Sequence, residues 1–219
     1  MDSLTLPKLK TEAKVFAREL AGKPLRELYG ITDGKAVGTF VEAAYNVYLA
    51  KKYKYRTGNA ANGIDFPELM VDLKVTSIKQ PQSSSPFRAA SQKVYGLGYH
   101  LLVFVYDKHD DKKSETATLD FKYVAFVTQD RTADFQTTSG LLGILARNGN
   151  KDDIVAFIEE RNLPLDEIGR DTLAEQILKQ PPKQGYLTIS NALQWRLQYS
   201  RVVGLMASGG QEGIENLLA

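Results

Sequence analysis

Apolar residues recur along this chain at two different periods, and the period changes with position. Near the N-terminus Leu9, Ala13, Phe16 and Leu20 are spaced by three and four, which is the spacing of one helix face, and Gly22-Lys23-Pro24 breaks the run. The pattern predicts a helix pair over residues 7–29. Val37, Phe40, Val41, Ala44, Val47, Tyr48 and Lys51 predict a longer helix over 35–54, followed by a loop from Arg56 through Gly63. From Leu69 the period becomes two. Val71, Leu73 and Val75 share one face and Met70, Asp72, Lys74 and Thr76 the other, so a strand is predicted over 69–76. Residues 80–86 read as a turn-rich loop and 87–95 as a helix closed by Gly96 and Gly98. The unbroken apolar run 101–106 fits a central strand buried on both faces. A polar loop over 107–115 leads to a further strand at about 119–128. Beyond Asp130 the pattern is helical, with helices expected near 138–148, 151–162, 166–179, 189–207 and 211–218 and a joint at Pro181-Pro182. The layout is α/β (α+β): a mixed sheet in roughly 55–130 flanked by helices, then a helical C-terminal portion over about 131–219.

Composition narrows the chemistry. At 219 residues the chain has the size of one large domain, and 43% hydrophobic with 25% charged residues argues against global disorder. There is no cysteine, which removes disulfides, thiolate metal sites and thiol nucleophiles. The two histidines, His100 and His109, do not make a histidine-rich metal site, and capping or surface roles are expected for both. Metal chemistry would rest on carboxylates, hence on magnesium, manganese or calcium. No apolar run approaches the length of a membrane span, and Met1 to Leu6 does not read as a signal peptide, so a cytosolic protein is expected. Net charge is +2, unevenly placed: residues 1–110 hold 16 Lys+Arg against 11 Asp+Glu. The densest basic patch is Lys51, Lys52, Lys54 and Arg56, with Tyr53 and Tyr55 between them. It could meet phosphates, although a solvated helix end is the favoured reading.

The segment that carries chemistry is Gly63-Ile64-Asp65-Phe66-Pro67-Glu68-Leu69-Met70-Val71-Asp72-Leu73-Lys74. Asp72 and Lys74 project from one face of a strand otherwise built of Val and Leu. An acid and a base placed there cost desolvation unless they pair or bind an ion. Pro67 interrupts the ladder before the strand, so Asp65 can sit on a turn and swing back toward Asp72. Two carboxylates brought together repel, and a divalent cation relieves that repulsion. Lys74 would then stand beside the metal, able to stabilise a phosphate or to orient and deprotonate water.

This motif resembles that of the PD-(D/E)XK nuclease superfamily, which includes most type II restriction endonucleases. Asp65-Phe66-Pro67-Glu68-Leu69, followed by Asp72-x-Lys74, is particularly similar to MutH-type nicking endonucleases and related restriction enzymes. Those typically carry Gly where this chain has Met70, and Glu where it has Asp72. The segment from Lys74 to Ser83 also looks like part of a bacterial restriction enzyme. The resemblance is specific over about residues 40–106. It implies a restriction-endonuclease-like core over about 35–130 within one domain of 1–219, the helical remainder serving recognition or dimerisation. Asp65 and Asp72 become metal ligands, the backbone carbonyl of Leu73 a further ligand, and Lys74 the catalytic lysine. Many members place a glutamate on the preceding helix, and Glu42 is the only acid in that helix here. The cofactor implied is Mg2+, with Mn2+ able to substitute and Ca2+ expected to bind without supporting cleavage.

The implied activity is Mg2+-dependent hydrolysis of double-stranded DNA at a short, palindromic site, leaving 5′-phosphates. The implied partners are duplex DNA, a second copy of the chain in a homodimer, and a methyltransferase of the same bacterial or archaeal system. Base-reading candidates with suitable side chains are Asn191, Gln194, Arg196, Gln198 and Arg201 on the helix expected at 189–207. Lys79, Gln80, Gln82, Ser83 and Arg88 lie in the loop after the motif strand. Gln92 and Lys93, on the helix that follows, could support the site or touch phosphate. Trp195 is expected to pack rather than to stack on bases. Three alternatives stay open at this point: a MutH-like strand-nicking repair enzyme, a non-catalytic DNA-binding protein on the same fold, and a chance motif on an unrelated protein.

Overall fold

The computed structural model describes residues 1–58, 63–190 and 194–219, without the side chain of Gln194. A two-residue strand β1 (Asp2–Ser3) opens the chain and leads to α1 (Leu6–Leu20). The Thr5 side chain caps α1 by accepting from the Lys8 N–H at 3.4 Å, and Pro7 sits in the first turn, where no backbone donor is needed. Its buried stripe is Leu9, Ala13, Phe16 and Leu20, as the spacing predicts. The second helix expected before residue 29 is only a 3-10 turn over Arg26–Leu28, after which Gly30 takes a positive φ of 72°. Asp33 caps α2 (Gly34–Ala50), which buries Val37, Val41, Tyr45 and Leu49. The expected helix to 54 stops at Ala50, and Tyr53–Lys54 form β2, paired in parallel with β1.

The main sheet has four strands. β3 (Val71–Ser77) runs parallel to β5 (His100–Asp111), β5 pairs antiparallel with β6 (Thr116–Val127), and a short β9 (Ile214–Asn216) closes the far edge. β3 is therefore an edge strand, with one side unpaired by any strand. β5 is buried on both faces over Leu101–Tyr106, as its apolar run requires. It is twice the length expected, because the polar stretch 107–115 continues the β5–β6 hairpin and turns only around Glu115, at φ 51°. Leu102, Phe104 and Tyr106 meet α1 and α2 in one core layer. Leu101, Val103 and Val105 face the opposite way, toward a second layer.

That second layer contains a further sheet, which is not among the expected elements. β4 (Gln82–Pro86), β8 (Gln194–Gln198) and β7 (Thr188–Ile189) form an antiparallel sheet in the order β4-β8-β7. The loop expected at 80–86 is thus a strand. The helix expected over 189–207 is two strands followed by α7 (Ser200–Ala207). The cause is visible in Trp195, Leu197 and Tyr199, which alternate with polar residues and are all buried against Val103 and Val105. The helix expected at 87–95 shrinks to a single turn, α3 (Gln92–Tyr95). The helices expected near 138–148, 151–162 and 166–179 are α4 (Phe135–Ala146), α5 (Lys151–Glu160) and α6 (Glu167–Lys179), which enclose their own apolar cluster around Leu141, Ile154 and Ile177. No helix forms at 211–218, where β9 and turns stand instead. Among the described residues no helix is long and apolar enough to cross a membrane.

Candidate active site

The open edge of β3 is where the motif residues converge. Pro67 starts a 3-10 turn, Pro67–Leu69, which ends at Met70 in the left-handed region (φ 51°, ψ 45°). That turn folds the chain back, so that Phe66 and Val71 exchange backbone hydrogen bonds and Asp65 lies beside the strand that follows. The Asp65 carboxylate accepts the Leu73 N–H at 2.6 Å. The N–H and C=O of one strand residue point to the same side, so the Leu73 carbonyl also faces the open edge, next to Asp65. Met70 stands where related motifs carry glycine, and the left-handed backbone is the reason: it is a position that a residue with a Cβ occupies at a cost.

Asp72 points to the other face of β3 from Leu73 and is only 3% exposed. The Lys74 ammonium reaches its Oδ2 at 2.8 Å. This contact is an ion pair without a well-directed hydrogen bond, and the same oxygen, sealed from solvent, has no hydrogen-bond donor. Burial pushes the Asp72 carboxyl up to about 7; Lys74 works against this, while Asp65, within hydrogen-bonding reach, adds to it. Burial alone would lower the Lys74 ammonium, but Asp72, then Tyr199 and Asp65, outweigh it and hold it above the ordinary lysine value. Glu42, on α2, is half-buried. Burial raises its carboxyl, Asp65 raises it further and Lys74 pulls it down, so it faces the same cluster. Among the described residues no group of three or more His, Asp or Glu side chains is assembled as a metal site. The Asp65–Asp72 pair itself fits a hard divalent cation: all-oxygen donors, mutual repulsion, and one buried oxygen lacking a donor.

Sequence reasoning missed the hydroxyl groups behind the site. Tyr199 and Ser83 share a hydroxyl hydrogen bond at 2.5 Å, and Tyr99 and Ser85 another at 3.0 Å. Tyr199 acts electrostatically on Lys74, and Tyr99 senses both Asp72 and Lys74. The alternation of Trp195, Leu197 and Tyr199 was the available signal. An open cleft of about 850 Å³ lies along the end of β3, between the start of α2 and the β4–β8 pair.

The other expected contacts fall into two groups. Lys79, Gln80, Arg88, Arg196 and Gln198 are exposed, with Gln82 and Ser83 half-buried at the cleft. Gln92 and Lys93 are instead buried. The Gln92 amide donates to the Leu97 carbonyl at 3.0 Å and accepts from the Arg88 and Ala89 N–H groups. Lys93 is lowered by burial, with Asp134 partly restoring it and Arg161 opposing. Neither is presented to a phosphate, because α3 is one turn packed under α4 rather than a surface helix. Arg201 is spoken for as well: it donates to Thr188 Oγ1 at 2.5 Å and lies 4.3 Å over the Phe135 ring. Asn191 lies outside the described residues. The basic patch is in part structural, since Lys52, Tyr48 and Tyr53 all bond the buried Glu12 carboxylate. His100 pairs in register with Val71, but its Nδ1 accepts the Gln129 N–H at 3.0 Å, and His109 stands 3.5 Å from Asp107. Trp195 is fully buried.

No solved structure matches the chain. A family model described as "Type II restriction enzyme NspV" matches residues 3–216. The type II restriction enzyme NspV of Nostoc sp. (strain ATCC 29411 / PCC 7524) is 55% identical over 214 residues, spanning 98% of this chain and 96% of that relative. The match spans the chain from β1 to β9, and the chain belongs to the NspV family of type II restriction enzymes.

Proposed function

We propose that this chain is a divalent-metal-dependent endonuclease of the PD-(D/E)XK superfamily that cuts both strands of duplex DNA at a short specific site and leaves 5′-phosphate ends. The observation that carries the reading is the gathering of Asp65, Asp72 and Lys74 at the open edge of β3, with a buried Asp72 oxygen held in ion contact with Lys74 rather than in a directed hydrogen bond. Family membership supports it independently. Asp65, Asp72 and the Leu73 carbonyl would hold Mg2+ or Mn2+, with Glu42 as the nearest further acid; Ca2+ would bind without supporting cleavage. When bound, the ion would polarise the scissile phosphate and lower the pKa of the attacking water.

The protein's own groups have separable tasks. Asp65 is oriented by the Leu73 N–H and keeps that carbonyl turned to the same edge. Asp72, pushed up to about 7, gives up its proton to become a ligand, so cation binding competes with protonation below that pH. Lys74, held charged by its carboxylate neighbours, serves as a cation beside the phosphate rather than as the base that deprotonates water. Cutting both strands of a palindrome is most simply done by a two-fold homodimer, and a methyltransferase of matching specificity would protect the host.

The test is plasmid cleavage with Mg2+ or EDTA, beside Asp72→Ala. Discrete linear fragments that need both Mg2+ and Asp72 are expected. Nicked circles alone would favour a strand-nicking enzyme, and metal-independent cleavage would overturn the assignment of the site.

A further inference from the structure

The β4–β8 pair has two unlike faces. Its inner face is locked: Ser83 and Ser85 are bonded to Tyr199 and Tyr99, and Trp195, Leu197 and Tyr199 are fully buried. Its outer face carries Gln82 and Ser84 opposite Gln198 and Arg196 in register. The backbone N–H and C=O of Gln82 are taken by Thr76 Oγ1, at 2.9 and 3.2 Å, and those of Arg196 by Ser190. Neither residue therefore bonds across the pair, so Gln82/Gln198 and Ser84/Arg196 are the closely spaced kind of antiparallel pair, about 4.5 Å between Cα atoms. Among the described residues, the Arg196 guanidinium and the Gln82 and Gln198 amides have no hydrogen-bond or ion-pair partner. Three planar groups, each able to make two parallel hydrogen bonds, thus stand free on one rigid face.

We propose that this face is the base-reading element of the enzyme, which rests on the nuclease reading above: Gln82, Arg196 and Gln198 meet base edges in the major groove. The chemistry matches, since Arg pairs bidentately with guanine O6/N7 and Gln with adenine N6/N7, and a two-stranded ribbon fits that groove. The placement matches as well. Gln82 and Arg196 line the cleft along β3. Thr76, which clamps Gln82, is two residues from Lys74, about 7 Å along the strand, or roughly two base-pair steps. Of the carboxylates that also line the cleft, Asp33 caps α2, and Asp107 and Asp110 are paired with Lys79 and Lys108; the outer face of the ribbon carries none.

The test selects bound duplexes from a random-sequence DNA library, in Ca2+ buffer so that binding is read apart from cleavage. Wild type is compared with Arg196→Lys, Gln82→Ala and Gln198→Ala, and thermal melts of all four proteins check folding. Wild type is expected to enrich one short motif. Arg196→Lys keeps the charge but loses the fork, and is expected to lose roughly 10- to 100-fold discrimination at one G·C position; the Gln variants are expected to do so at A·T positions. Two outcomes overturn the proposal: variants that enrich the wild-type motif with undiminished preference, or a loss that is uniform over all sequences with a shallower salt dependence, which marks a phosphate contact. A wild type that enriches no motif also overturns it. A wild type that enriches a motif but does not cut it with Mg2+ refutes the nuclease reading while leaving the ribbon's role standing.

Discussion

The buried Asp72 carboxyl makes the metal-free protein pH-dependent in a way that one substitution isolates. Its pKa rises from 3.8 to about 7 on folding. A group raised by folding contributes stability that is fully present below its unfolded value and is lost as pH rises through its folded value. Asp72 therefore costs the fold progressively between about pH 4 and pH 7. At 1.36 kcal/mol per pKa unit the loss approaches ~4 kcal/mol, an upper figure because the unfolded chain and local relaxation absorb part of it. Asp72→Asn keeps the shape and removes the titration. Its constant effects, including the loss of Lys74's partner, shift the whole curve without tilting it. Urea unfolding in EDTA from pH 4.5 to 7.5 reads the difference between variant and wild type, which cancels the other titrating groups. That difference is expected to move in favour of the variant by several kcal/mol across the window. Saturating Mg2+ is expected to flatten the wild-type loss, since the cation takes the place of the proton. Parallel curves, differing by a constant within about 0.5 kcal/mol, would refute the buried, proton-competing carboxylate.

Further outcomes follow from single residues. Met70→Gly removes a left-handed residue with a Cβ; the relief of about 1–2 kcal/mol, less the added freedom of the unfolded chain, leaves a gain of roughly 0.5–1 kcal/mol in urea unfolding. Lys74→Gln is expected to slow single-turnover cleavage roughly 10²- to 10³-fold. Because Lys74 pulls the Asp72 carboxyl down, the same variant moves the acid limb of the pH profile to higher pH. Glu42→Gln is expected to weaken the apparent Mg2+ affinity by roughly tenfold in cleavage titrations, leaving metal-free DNA binding unchanged. Trp195→Ala empties the buried anchor of β8 and is expected to cost about 3–5 kcal/mol in unfolding free energy.

What the sequence disclosed follows from where periodicity and burial agree. The stripe Leu9–Leu20 and the alternation Val71–Val75 each match one face of one element, the run Leu101–Tyr106 matches a strand buried on both faces, and each forms as expected. Asp65, Asp72 and Lys74 were legible because Pro67 and the alternating strand dictate how they meet. The ribbon was not. Leu193 and Leu197 stand four apart, as on a helix face, while Trp195, Leu197 and Tyr199 satisfy strand spacing. Burial of the latter set against Val103 and Val105 decides for the strand. β4 was hidden for a different reason: Gln82 to Pro86 offers no large apolar side chain, and its inner serines are held by tyrosine hydroxyls from distant segments. Lys93 looked like a surface cation because nothing local announces its proximity to Asp134.

The central claim is that Asp65 and Asp72 jointly hold one catalytic cation at the edge of β3. Mn2+ binding, followed by electron paramagnetic resonance on wild type, Asp65→Ala and Asp72→Ala, with Mg2+-dependent plasmid cleavage measured on the same preparations, tests it most directly. The account predicts a bound ion and cleavage in wild type, with both lost in each variant while the fold, read by thermal melting, persists. Undiminished Mn2+ binding and cleavage in either variant would contradict it.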